Sequence, residues 1–213
     1  MIVIAIVGIL ASLVTVGVMK GSEKGKQVAA RTEISQLESA IAAAKQNFGN
    51  VDNLPSMVIL YDTPAGFNST ASGQQTLNFL TKAFGRSWIT NSVQNNTKTP
   101  WMGINYTGSY PVKLPGMEAL VYWLGGIRDA TGTFQGFSSN PLSPWDLTTT
   151  KRKGPFFEFE AARLINNTVT TAPTYVNSWN GSYAYFSSAD YAGFNTASPV
   201  GYGAYVSTAG SIS

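Results

Sequence analysis

The chain has 213 residues, 44% of them hydrophobic and 12% aromatic, but only 12% charged, about half the roughly 25% usual for soluble domains. With no Cys and no His it offers no thiolate or imidazole for zinc, no Ser-His-Asp or Cys-His catalysis and no disulfide framework. A net charge of +3, from 14 basic and 11 acidic side chains, is too slight an excess to imply nucleic acid. Length and apolar content support one sizeable core with an appendage.

The appendage comes first. Residues 1–19 contain no charged side chain, and Lys20, Lys24 and Lys26 follow abruptly. At about 1.5 Å per residue this run covers roughly 28 Å, close to a hydrocarbon thickness of about 30 Å. A secretory signal peptide is the alternative reading, but its apolar stretch is usually about 7 to 15 residues, and no small-x-small cleavage site follows directly. The helical pattern then continues with a different character. Ala30, Ile34, Leu37, Ile41, Ala44 and Phe48 recur at spacings of three and four, which predicts one apolar face packed on a head. Arg31, Glu33, Gln36, Glu38 and Lys45 lie between them and are expected to face water or a neighbouring subunit, and Gly49 is a natural C-cap. One helix over residues 1–48 is about 72 Å long. Gly8, Gly17, Gly21 and Gly25 either weaken it locally, by up to about 1 kcal/mol each, or allow helices to approach closely.

The run Ile2-Val3-Ile4-Ala5-Ile6-Val7-Gly8-Ile9-Leu10-Ala11, with its amphipathic extension, resembles the N-terminal helix of type IV pilins and type II secretion pseudopilins. The resemblance covers about the first quarter of the chain. It implies a structural role: a helix held in the inner membrane, later extracted by pilus or type II secretion assembly machinery and packed with its copies in the core of a helical filament. In that family a basic leader is removed ahead of an apolar helix with an early glutamate. Alignment on Ile4 to Leu10 places this glutamate before Met1, so residues are expected to precede Met1, and no processing residue is carried over. Pilus members often carry a helix-breaking proline downstream of the position of Gly8, where this chain has Val16. For the filament core the resemblance singles out Ile4, Ile6, Gly8, Ile9, Leu10, Ala11, Leu13 and Gly17. For packing of helix on head, the stripe singles out Ile34, Leu37, Ile41 and Phe48.

Residues 51–213 read as a turn-rich globular head, which divides the chain into a helix over 1–50 (1–19 membrane or filament-core, 20–50 amphipathic) and a head over 51–213. Residues 58–61 are β-prone and end at Asp62 and Pro64. Residues 74–84 predict a helix with Ser72 near its cap and Gly85 beyond its end, and residues 117–124 a second, entered by Pro115 and stopped by Gly125 and Gly126. Residues 156–159 and 183–186 are the strand candidates. Helices early and strands late favour an α+β fold: a long N-terminal helix, its apolar half protruding, on a mixed head with an antiparallel sheet and short helices. Residues 120–145 with 154–159 resemble the heads of a bacterial branch of large prepilin-type proteins, which tend to continue beyond a segment like 202–213. The calcium loop of major pseudopilins has no counterpart, so no metal ligand or cofactor is expected.

Few constellations suggest chemistry. Glu158 and Glu160 would share one strand face, as the paired carboxylates of a glycosidase require, though a solvated face opposite Phe157 and Phe159 explains the alternation. Lys151-Arg152-Lys153 reads as an anion-binding run or a solvated loop, and Asp129 with Gly132 as a turn. Aromatics crowd residues 101–123 and 175–205, including Trp179, Tyr191, Tyr202 and Tyr205, where they serve the core, a subunit interface or sugar stacking. Asn68, Asn95, Asn105, Asn166 and Asn180 head Asn-x-Ser/Thr sequons; they read as exposed polar loops, with glycosylation left open. The expected role is a homo-oligomeric filament subunit, in the inner membrane before assembly and in an extracellular pilus or periplasmic pseudopilus afterwards, with no enzymatic activity and no nucleic-acid partner. A membrane-anchored adhesin or glycan-binding module is the alternative. Taken alone, the three lysines would place the head in the cytoplasm by the positive-inside rule; the resemblance places it outside.

Overall fold

A computed structural model describes residues 2–103, 106, 108–165 and 172–187, with side chains from Lys20 onward. It is a mixed α+β structure with a long N-terminal helix and small antiparallel sheets. Helix α1 spans Ile2–Asn47, about 69 Å at 1.5 Å per residue, and runs unbroken through Gly21 and Gly25. Gly49, at φ +86°, reverses the chain, and the amides of Asn50 and Val51 close back on the carbonyls of Gln46 and Lys45. This is the expected glycine stop.

The head then builds a small ladder, β1 (Met57–Leu60), and two helices, α2 (Ala71–Phe84) and α3 (Ser87–Asn95). Strand β2 (Val112–Pro115) returns antiparallel to β1, with Val58 opposite Leu114, and leads through Gly116 into α4 (Met117–Gly125). Two-residue ladders follow: β3 (Phe137–Ser138) with β4 (Arg152–Lys153), and β5 (Leu164–Ile165) with β6 (Thr174–Tyr175). The N-cap of α2 is Thr70, whose hydroxyl accepts from the Gly73 amide at 3.0 Å; Ser72, the expected cap, lies inside the first turn.

With so little sheet, side chains tie the layers together. The Ile59 amide donates to Thr76 Oγ1 at 3.1 Å, joining β1 to α2, and Trp123 Nε1 donates to the Pro55 carbonyl at 3.0 Å. Thr99 donates to the carbonyls of Asp62 and Tyr61. Apolar α4 is buried along its length apart from Glu118, as a central helix must be. Around it and its own Trp123 lie Phe48, Phe84, Trp88, Trp101 and Phe137, nearly all fully buried. Three glycine backbones stack beside it. A Cβ on Gly126 would fall within the backbone of Gly136, and one on Gly136 within that of Gly154; all three have positive φ.

The two late strand candidates are corrected. Residues 156–159 form no strand, because a strand turns successive side chains to opposite faces, whereas Phe156, Phe157 and Phe159 all pack on the core cluster. Residues 183–186 keep the alternation, with the hydroxyls of Tyr183 and Tyr185 both reaching into the molecule, but they form no ladder. The order is corrected with them, since the longest ladder, β1 with β2, lies early and encloses α2 and α3.

Candidate functional site

The seam between α1 and the head is where the structure concentrates aromatic and charged contacts. Helical geometry decides which residues enter it. Glu33, Leu37, Ala40, Ala44 and Phe48, spaced by four, three, four and four, form the buried arc. Leu37 and Phe48 are buried as expected, and Ile41 packs half-buried at the edge of the core. Ile34 does not enter the seam. One residue on from Glu33 is a rotation of about 100°, and Ile34 is left 45% exposed.

Phe48 ends the arc at the centre of the aromatic cluster. Its ring meets Phe84 and Phe156 at centroid distances of 5.5 Å, Phe137 at 5.8 Å, Trp123 at 6.1 Å and Phe79 at 6.3 Å, all edge-on, the arrangement the ring quadrupole favours. Through this one side chain the helix joins α2, α4, β3 and the segment after β4.

At the other end of the arc Glu33, expected to face water or a neighbour, is only 8% exposed. Its carboxylate receives three donors from the far end of the head. Arg163 Nη2 lies 2.6 Å from Oε2, the Tyr175 hydroxyl donates to Oε1 at 2.7 Å, and the Tyr183 hydroxyl donates to Oε2. Arg163 is held over the Tyr175 ring at 4.5 Å and donates from Nε to the Val176 carbonyl at 2.8 Å. Burial raises the Glu33 pKa, but the hydrogen bonds from Arg163, Tyr183 and Tyr175 outweigh it and hold the carboxyl below its ordinary value. Arg163 is raised, first by its bond to Glu33. Tyr183 is pushed up to about 12 by burial and by its bond to the carboxylate, and Tyr175 is raised for the same reasons. The four groups clasp α1 to the segment around β5 and β6. Sequence distance helped to hide this: Glu33 and Arg163 are 130 positions apart, and nothing in a local pattern pairs them.

Residues 20–29 are all exposed, with nothing within 4 Å of a Cβ placed on Gly21 or Gly25. The side chains of Ile4, Ile6, Gly8, Ile9, Leu10, Ala11, Leu13 and Gly17, expected to make the filament core, lie outside the described residues. Among the described residues no helix is long and apolar enough to cross a membrane.

The remaining candidates find structural roles. Arg152, in the basic run, turns inward: Nε donates to the Gln135 carbonyl, Nη2 to that of Gly136 at 2.9 Å and Nη1 to that of Asp146 at 2.8 Å. Lys153 donates to the Ala83 carbonyl at 2.9 Å and lies 5.4 Å from the Phe84 ring centre. Burial lowers the pKa of both. The run is thus a ladder with engaged donors, and only Lys151 is exposed. Glu158 and Glu160 are exposed and on no strand, so they share no strand face. Asp129 forms the expected turn, accepting from the amides of Thr131 and Thr133 and from Gln135 Nε2. Among the described residues no group of three or more acidic side chains is gathered where it could hold a metal ion. Asn68, Asn95 and Asn180 are exposed, Asn180 at φ +61°. Asn105, Asn166, Tyr191, Tyr202 and Tyr205 lie outside the described residues. Trp179 and Phe186 are exposed at 44% and 50%, whereas Trp101 and Trp123 are fully buried.

No known protein family, curated protein or solved structure matches the chain.

Proposed function

We propose that the chain is a non-enzymatic structural subunit of a type IV pilus-like or pseudopilus filament, assembled through α1 with copies of itself. The observation that carries this reading is the division of α1. From Glu33 to Phe48 the helix is locked into the head by a charged clasp and an aromatic cluster, while residues 20–29 stand free of it. The free part continues into residues 1–19, which contain no charged side chain. A lone apolar helix in water is penalised by about 25 cal/mol per Å² of exposed apolar surface, so such a helix belongs in a membrane or among copies of itself. The inner membrane would hold it before assembly and the filament core afterwards, with the heads as the outer wall.

The test is Leu13→Lys, which places an unpaired charge among packed helices, and Gly8→Leu, which adds bulk where backbones approach. Both variants should fold their heads and accumulate in membranes, yet give no filaments in negative-stain images of cell-surface preparations. Wild-type amounts of filament from the Leu13→Lys strain would reduce the helix to an anchor. The exposure of Trp179 and Phe186 favours a second reading, a membrane-tethered glycan-binding module, which glycan-array binding by the head would promote.

A further inference from the structure

A groove runs along α1 beside the clasp. Its floor is a helix face made of Thr32, Ser35, Gln36, Ser39, Ala40 and Ala43, its far wall is Phe156 and Phe157, and Glu158 stands at its lip; its volume is about 680 Å³. Two of the floor's hydroxyls need nothing from an occupant. Thr32 Oγ1 already donates to the Val28 carbonyl at 3.0 Å and Ser39 Oγ to that of Ser35 at 2.9 Å, so covering these hydroxyls strands no donor. Such a polar floor is a poor bed for acyl chains, and a lone carboxylate at the lip repels a polyanion. A trough along a helix face suits a second helix laid beside it.

We infer that this groove receives residues 20–29 of α1 from a second copy of the chain, parallel and staggered, so that each copy docks on the next. The inference rests on the filament reading and assigns it a contact surface. Two features select this occupant. Residues 20–29 carry Lys20, Lys24 and Lys26 against Glu23 alone, all exposed, while among the described residues Glu158 is the single charge lining the groove; the signs are complementary. Gly21 and Gly25 lie one turn apart with open space beside them, and with no side chain of their own they let the incoming backbone approach the Ser39 floor closely. Seating Gly25 opposite Ser39 sets a stagger of about 21 Å along the helix. Because groove and occupant are different parts of one chain, the contact is heterologous and propagates rather than closing into a dimer.

The absence of cysteine makes the test direct. In detergent extracts of the full chain, where no bilayer fixes the depth of the helix, the double variant Gly25→Cys/Ser39→Cys should, on mild oxidation, give a ladder of disulfide-linked multimers. A mixture of the two single variants should give dimer at about tenfold the yield of Gly25→Cys mixed with Glu38→Cys, as expected of held rather than colliding partners. Adding Glu158→Lys should lower that yield by about threefold, the worth of one exposed ion pair. Crosslinking no better than the Glu38→Cys control would overturn the inference, as would a product from the double variant that stops at the dimer, which is the mark of antiparallel pairing. A monomeric Ser39→Cys chain shielded from maleimide would give the groove to another segment of the same chain and overturn it equally. Filaments without the ladder sink the groove and leave the filament reading standing; a ladder in detergent extracts of a strain that makes no filaments does the reverse.

Discussion

Replacing Glu33 by Ala should weaken the head by about 2–3 kcal/mol. Removing one partner of a fully buried ion pair costs about 3–5 kcal/mol, because the other charge is left uncompensated. Here the loss falls below that range for two reasons. The Arg163 side chain keeps 21% of its exposure, and the Glu160 carboxylate, 3.7 Å from Nη1, remains to face it. Tyr175 and Tyr183 lose their acceptor as well, so the effect stays well above that of a surface pair, about 0–1 kcal/mol. The assay is urea and thermal unfolding of residues 20–213 followed by tryptophan fluorescence. At roughly 2–4 °C per kcal/mol for a domain of this size, the midpoint should drop by about 5–10 °C. A cycle with Arg163→Met separates the pair from its surroundings: Arg163→Met should cost less in the Glu33→Ala background than in wild type, with a coupling of at least about 1 kcal/mol. A Glu33→Ala loss below about 0.5 kcal/mol, or additive single losses, would refute the clasp.

Acid should act on the same group. The folded pKa of Glu33 lies below its ordinary 4.5, so its stabilisation is fully present above the unfolded value and fades as pH falls through the folded one; the stability gap between wild type and Glu33→Gln should narrow steadily below pH 4.5 in urea titrations. Phe48→Ala should cost about 3–5 kcal/mol and erase much of the near-ultraviolet circular dichroism, because one ring contacts five others. Arg152→Met should lose about 1–3 kcal/mol by leaving the half-buried carbonyls of Gln135 and Asp146 unpaired, and Arg152→Lys should recover little, since an ammonium cannot span the same fork; chemical denaturation measures both. Deleting residues 1–19 should give a soluble, folded monomer by light scattering and circular dichroism.

Much of the backbone plan was legible because its signals are local. The glycine stops at Gly49, Gly85 and Gly126, the stripe through Leu37, Ala44 and Phe48, and the apolar run of α4 all act within a few turns of chain. What escaped depends on distance. Strand β2 exists because β1 offers it a partner, and four residues ending in Pro115 gave no pattern of their own. Helix α3 is mostly polar and is fixed by the burial of Trp88. Consecutive aromatics at Phe156 and Phe157 read as a strand because alternation was counted over too few residues to show that both rings point inward. In the site, Leu37, Ile41 and Phe48 followed from periodicity, whereas Ile34 was lost by one residue of phase and Glu33 by its charge. Charge between apolar neighbours signals solvent only when no distant arginine or tyrosine meets it, and Arg163, Tyr175 and Tyr183 do.

The stacked glycines at 126, 136 and 154 bear on how such a chain can drift through time. A core side chain here has tolerant neighbours, and Leu may become Met or Ile with modest adjustment. The glycine stack has no such latitude, for the missing atoms are what let three backbones touch, and even alanine, one base change away, intrudes on the peptide beside it. Around these fixed points the rest of the head is free to change its lettering while keeping its shape. Distant kin of this chain are therefore best sought by the interval between three glycines rather than by the residues that surround them.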